Sequence, residues 1–140
     1  MEKILIKGRG VIGGSAEGEA LVTHDAISGW GGINCLTGEV TEFRHELYKK
    51  SFAGKILVFP GAKGSSGWSI HFHYCRLLGT APKAVVYNIT TAKMASGAVV
   101  MGVPAVTDLE QDPLGIIKTG DWVKVDGDVG TVEIIPAIQP

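Results

Sequence analysis

Lys55-Ile56-Leu57-Val58-Phe59-Pro60-Gly61, continued by Ala62-Lys63-Gly64-Ser65-Ser66-Gly67-Trp68 and by Ser69 to Gly79, is the stretch that decides the fold. Ile56 to Phe59 is an uninterrupted apolar run with β-branched and aromatic members, bounded by Gly54 and Pro60. That is the pattern of a strand buried on both faces. Gly61 to Gly67 reads as a loop. From Trp68 to Leu78 the period becomes helical: Trp68, Phe72, Cys75 and Gly79 share one stripe, with Ile70, Tyr74 and Leu77 beside it. Gly79 ends the helix and Pro82 prevents its return. Ala84-Val85-Val86-Tyr87-Asn88 then reads as a second buried strand, where a parallel strand–helix–strand unit needs one.

Upstream, Lys3 to Lys7 reads as a first strand, Gly8, Gly10, Gly13 and Gly14 break the chain, and Glu19 to Thr23 resumes it. A polar, glycine-rich excursion follows, with Trp30-Gly31-Gly32-Ile33-Asn34 and Thr37-Gly38-Glu39-Val40. Loops this long in a compact domain are usually functional or part of an interface. Downstream, Ala92 to Val100 reads as a short helix and Val103 to Thr107 as a short strand. Trp122 to Asp126 and Gly130 to Ile135 form a hairpin, because Asp126-Gly127-Asp128 is a strong turn signal. No repeat or linker divides the chain, so residues 1–140 are expected to form one domain. Its class is α/β (mixed α+β), with a mixed, partly closed sheet.

Composition narrows the function. Of 140 residues, 45% are hydrophobic and 19% charged, a globular balance. Thirteen basic and 14 acidic residues leave a net charge of −1, and no basic tract occurs. The footprint of nucleic acid or of an anionic membrane is therefore missing. Met1 to Lys7 is too short and too charged for a signal peptide, and no run of about 18 apolar residues exists. A cytoplasmic protein is expected, with Cys35 and Cys75 reduced and too few to build a four-cysteine metal site. The 20 glycines are about twice the usual share and not periodic, which suggests tight turns and close backbone approach.

The chemistry-bearing feature is the loop Gly64-Ser65-Ser66-Gly67 between strand and helix. A helix N-terminus presents free N–H groups and a positive dipole end, suited to a carboxylate, a phosphate or a developing oxyanion. Ser65 or Ser66 can equally be a helix cap, and the residues alone leave both readings open. The loop lacks the Gly-Lys-Ser/Thr ending of a Walker loop, and the chain has no Gly-x-Ser-x-Gly elbow. His71 and Cys75 have i, i+4 metal-ligand spacing, but two ligands make no site, and no metal site is expected. His45 beside Arg44 reads as part of a solvated loop, and Asp126 with Asp128 as turn chemistry.

Several blocks in register resemble the small subunit of the aconitase X family: Gly13-Gly14-Ser15-Ala16-Glu17-Gly18-Glu19-Ala20-Leu21-Val22, Trp30-Gly31-Gly32-Ile33, Ala53 to Pro60, Gly64-Ser65-Ser66, Gly79-Thr80-Ala81-Pro82 and Lys118 to Val132. The resemblance implies a swivelling β/β/α domain like the small mobile domain of aconitase. It also implies a heterodimer with a large subunit that carries an iron or iron–sulfur cluster, this chain holding no cofactor. Members of the family dehydrate small hydroxy acids: mevalonate 5-phosphate in archaeal enzymes, cis-3-hydroxyproline in bacterial and fungal ones. Ordinary aconitases present a Gly-Ser-Ser turn whose first serine is the base. On this chain that catalytic role falls on Ser65, with Gly64, Ser66 and Gly67 forming the substrate-binding anion site. The sequence departs from the pattern at Trp68, where glycine is expected, at Asn34, where aspartate is common, and at Glu46, where proline is common.

Two rivals stand beside this reading. Met101 to Val106 followed by Gly120 to Gly127 is similar to the swivelling phosphohistidine domains of phosphoenolpyruvate-using enzymes, but the position of their histidine is Lys93 here. A non-catalytic swivelling module that binds a partner is the other.

Overall fold

The computed structural model describes residues 3–28, 32–63, 67–88, 99 and 101–137. Among them the elements are β1 (Ile4–Lys7), β2 (Arg9–Ile12), β3 (Ser15–Val22), β4 (Ile27–Ser28), β5 (Ile33–Asn34), β6 (Glu39–Val40), β7 (Ile56–Phe59), β8 (Ala62–Lys63), α1 (Gly67–Leu78), β9 (Ala84–Tyr87), β10 (Ala105–Thr107), α2 (Pro113–Ile116), β11 (Trp122–Asp126) and β12 (Thr131–Ile135). Eight strands form one sheet in the order β1-β12-β11-β3-β7-β9-β10-β2. One half, β1, β12, β11 and the start of β3, is antiparallel. The end of β3 pairs with β7 in parallel, and β7, β9 and β10 continue in parallel.

The two edge strands, β1 and β2, are consecutive in the chain and meet at Gly8, so the sheet doubles over on itself. Glycines make the closure possible. A Cβ on Gly127 would stand 1.7 Å from the Ile12 carbonyl oxygen, and one on Gly10 would stand 1.9 Å from that of Gly127. The Gly127 N–H donates to Gly14 O at 2.8 Å and the Gly8 N–H to Gly130 O at 2.7 Å, which stitches the hairpin turn to the start of the chain. The glycine run expected to be a break thus contains β2, because glycine here serves backbone approach rather than interruption.

Alternation along the parallel strands separates two cores. Ile56, Val58, Ala84 and Val86 face the antiparallel half, with Val123, Val125, Val132 and Ile134. Leu57, Phe59, Val85 and Tyr87 face the other way, toward Phe72 and Cys75 of α1. All four residues of β7 and of β9 are buried, as expected for strands covered on both faces. The result is three layers, sheet on sheet on helix, in the mixed α/β class expected from the sequence.

The excursion after β3 is more than a loop, which corrects the sequence expectation. Ile27, Ile33, Val40, Leu47 and Phe52 are each buried in the core beneath α1. Phe52 stacks on Phe72 with ring centroids 5.2 Å apart and planes 21° apart. Such a pair adds about 0.5–1.5 kcal/mol beyond its area burial and pins the excursion to α1. Widely spaced single apolar residues carry no strand or helix period, so the pattern concealed their burial. Of the expected helix from Ala92 to Val100, all but Val99 lies outside the described residues. No helix among the described residues is long and apolar enough to cross a membrane.

Candidate functional site

The parallel strand β7 delivers the chain through Pro60 and Gly61 to β8, which pairs in parallel with β4 (Ile27↔Ala62, Ser28↔Lys63). The Ile27 N–H donates to Gly61 O at 3.1 Å. The expected loop from Gly61 therefore begins as a short strand. Four residues later α1 opens at Gly67, the one residue of the expected site that is described. Gly64, Ser65 and Ser66 lie outside the described residues, as does Lys93, while the entry into their segment and the exit from it are both placed. The first turn of α1 holds no acidic side chain and its last turn holds Arg76, so among α1's own residues the dipole is complemented only at its far end.

The strand that backs this entry is clamped from the excursion. Glu46 Oε1 accepts the Thr23 hydroxyl at 2.9 Å and the His24 N–H at 2.7 Å. In return the Glu46 N–H donates to Asp25 Oδ2 at 2.9 Å. The His24 N–H bond above all, with help from Thr23 and from the charge of His24 and against some burial, holds the Glu46 carboxyl below its ordinary pKa. His45 corrects an expectation: instead of standing in a solvated loop, its residue is only 6% exposed. Leu47 N–H donates to its Nδ1 at 3.0 Å, so Nε2 carries the hydrogen and donates to Ala26 O at 3.0 Å. Both ring nitrogens serve the backbone beside β4. Nothing in the local sequence period signals this clamp, because its partners are about 20 residues apart.

A row of four residues crosses the same end of the parallel sheet. Phe59 is paired with Tyr87 across β7 and β9, and Thr107 with Arg9 across β10 and β2. The Thr107 hydroxyl donates to Tyr87 O at 2.9 Å and joins the two pairs. Arg9 Nε donates to Asp108 Oδ2 at 2.8 Å, and Asp108 itself sits at φ 52°, in the left-handed region. The Tyr87 hydroxyl is buried and has no hydrogen-bond partner among the described residues. An unpaired buried hydroxyl costs about 1–3 kcal/mol. Burial raises its pKa, Arg9 opposes that rise and Asp108 adds to it, so both charges act on this hydroxyl.

The two cysteines do not fit an iron or zinc centre. Cys75 lies on the buried face of α1, and burial pushes its thiol up to about 12. Cys35 Sγ donates to the His71 carbonyl at 3.3 Å. Among the described residues no three His, Cys, Asp or Glu side chains gather as a metal site would need. Asp126 takes the turn role expected of it: its Oδ1 accepts the N–H groups of Asp128 and Val129 at 3.0 and 3.1 Å.

Residues 5–134 match the family described as the aconitase X swivel domain. The chain belongs to that family. It is 44% identical over 129 residues to the phosphomevalonate dehydratase small subunit of Methanocella arvoryzae, covering 92% of this chain and 98% of that one. It is 41% identical over 135 residues to the protein of the same name from Methanosarcina acetivorans, covering 96% of this chain and 94% of that one. The crystal structure of Thermococcus kodakaraensis aconitase X in its holo-form superposes with a TM-score of 0.88 at 38% identity, covering 94% of this chain and 98% of that chain. Within the swivel-domain frame, the Gly13–Val22 block is β3 with its approach, the Ala53–Pro60 block contains β7, and the Lys118–Val132 block contains β11 and its hairpin turn.

Proposed function

We propose that this chain is the small subunit of a hydro-lyase that dehydrates phosphomevalonate or a related small hydroxy acid, working in a heterodimer with an aconitase X large subunit. The observation that carries this reading is the 44% identity to a protein named phosphomevalonate dehydratase small subunit, across 98% of that protein.

Dehydration removes a proton from the carbon beside the carboxylate and hydroxide from the next carbon, forms a double bond between the two carbons, and amounts overall to the loss of one water. The proton is weakly acidic, so its removal needs a base placed where developing negative charge is stabilised. We assign that base to Ser65, whose ionised side-chain oxygen takes the proton and becomes a hydroxyl, and the grip on the substrate carboxylate to Gly64, Ser66 and Gly67. The support is local: Gly67 opens a helix whose first turn lacks an acid, and such an end favours a carboxylate and lowers the cost of an ionised serine. Because the cysteines of this chain do not fit an iron centre, the iron or iron–sulfur cluster implied by the resemblance is assigned to the large subunit, where it would supply Lewis-acid stabilisation of the departing hydroxide. The reading places the enzyme in the cytoplasm.

Co-expression with a tagged large subunit, followed by an assay for water loss from phosphomevalonate, tests the proposal. Stoichiometric co-elution at low and moderate salt, with turnover, is the expected result. Failure to co-elute contradicts it, and so does a complex that dehydrates neither phosphomevalonate nor cis-3-hydroxyproline.

A further inference from the structure

We infer that Arg9 and the Tyr87 hydroxyl form a subsite for the phosphate of a phosphomonoester substrate, at the end of the parallel sheet where α1 begins. The inference rests on the dehydratase reading and adds to it the group that would hold the second anionic end of the substrate.

Position comes first. Phe59, Tyr87 and Thr107 are the last residues of three adjacent parallel strands, and Arg9 is paired beside Thr107. In open and closed α/β sheets alike, ligands bind at the carboxyl ends of the parallel strands. Residues paired across neighbouring strands share a face, and Phe59 and Tyr87 belong to the face covered by α1. From β7 to β2 is three strand spacings, roughly 14 Å, so Arg9 and Phe59, the end of the strand that leads on through β8 toward α1, stand at opposite ends of one row. A small substrate with a carboxylate at one end and a phosphate at the other needs two separate anion sites of this kind.

The side-chain chemistry points the same way. Arg9 engages Asp108 through Nε, at 2.8 Å, which orients the guanidinium. Its side chain is 55% exposed, and among the described residues no hydrogen bond engages its two terminal nitrogens. A guanidinium held in this way presents a planar fork suited to two phosphate oxygens. Two strands along the row from Arg9, beyond Thr107, the Tyr87 hydroxyl is fully buried and lacks a partner among the described residues. A buried donor without a partner asks for an explanation, and an acceptor oxygen that arrives with the ligand supplies one.

The test uses the complex of both subunits with Arg9→Gln, Arg9→Lys and Tyr87→Phe. Arg9→Gln is expected to raise KM for phosphomevalonate by about 10- to 100-fold, the range for losing a charged hydrogen-bonding partner, and to weaken competitive inhibition by inorganic phosphate to match. Its kcat should move by less than about threefold, since binding shared by ground and transition states affects KM alone. Arg9→Lys should recover part of the loss. Tyr87→Phe should raise KM by about three- to tenfold without lowering thermal stability, an outcome a packing role would not give. Unchanged KM and unchanged phosphate inhibition in Arg9→Gln would overturn the subsite while leaving the dehydratase reading intact. If the wild-type complex does not turn over phosphomevalonate, inorganic phosphate is titrated onto the full chain and followed by amide chemical shifts. Shifts at Arg9 and Thr107 that vanish in Arg9→Gln uphold the subsite without the dehydratase reading, and shifts that persist, or none, overturn it.

Discussion

Thr23 donates its hydroxyl to Glu46 Oε1 at 2.9 Å, and through this bond the excursion holds the connection from β3 to β4. β4 in turn pairs with β8, the strand from which the chain runs toward Ser65. Two short hydrogen-bonded relays therefore connect the Glu46 carboxylate with β8.

The Glu46 carboxyl titrates below its ordinary value of 4.5, mainly because the His24 N–H binds the ionised form. A depressed folded-state pKa means stability that is present above the unfolded value and lost as pH falls through the folded one. Unfolding midpoints of the wild type should therefore drop more steeply below about pH 4.5 than those of Glu46→Gln. The side chain is 47% exposed, so solvent screening keeps the difference small. Equal slopes for the two proteins between pH 5 and pH 3, roughly the window set by the ordinary carboxyl value, would count against the clamp.

Phe72→Ala should destabilise the domain by about 3–5 kcal/mol, the cost of emptying a fully buried aromatic site. A double-mutant cycle with Phe52→Ala should return a coupling of about 0.5–1.5 kcal/mol from the stacked pair. Denaturant melts measure both quantities. Additive effects would mean that the excursion and α1 are anchored independently.

Gly127→Ala should cost about 2–4 kcal/mol or more, since its Cβ would meet the Ile12 carbonyl at 1.7 Å and force the closed sheet apart. Gly115→Ala is the control, because a Cβ there meets nothing within 4 Å. Thermal melts of the pair separate the close approach at the closure from a general dislike of glycine replacement.

Much of the fold was legible beforehand. The strand–helix–strand unit from Ile56 to Tyr87 and the hairpin at Asp126–Gly130 carry strong local periods and turn chemistry, and both are found where the pattern puts them. β2 was not legible, because Gly8 and Gly10 mark a close backbone approach across the molecule, which a one-dimensional pattern reads as a break. The buried excursion escaped for a related reason: Ile33, Val40, Leu47 and Phe52 reach one core from irregular spacings. Of the candidate site, the helix start at Gly67 agrees with the sequence to within one residue. The His45 and Glu46 clamp and the row from Phe59 to Arg9 depend on contacts between distant segments, which no spacing within either segment encodes.

At neutral to mildly alkaline pH, iodoacetamide should modify Cys35, which is partly exposed, and spare Cys75 in the folded protein. Burial pushes the Cys75 thiol up to about 12, so it stays protonated as well as shielded. Peptide mass mapping before and after addition of denaturant reads the two sites separately. Modification of Cys75 at the rate of Cys35 in the native state would contradict the packing beneath α1.

Turnover of the two-subunit complex carrying Ser65→Ala tests the central claim most directly. Loss of a helix cap costs only about 1 kcal/mol, so the variant should fold and co-elute with the large subunit. Loss of the positioned base should reduce kcat for phosphomevalonate by about 100-fold or more. Ser66→Ala should chiefly raise KM, because that hydroxyl is assigned to the carboxylate and not to the proton. Near-full turnover by a folded, assembled Ser65→Ala complex would contradict the assignment and leave Ser65 as a helix cap alone.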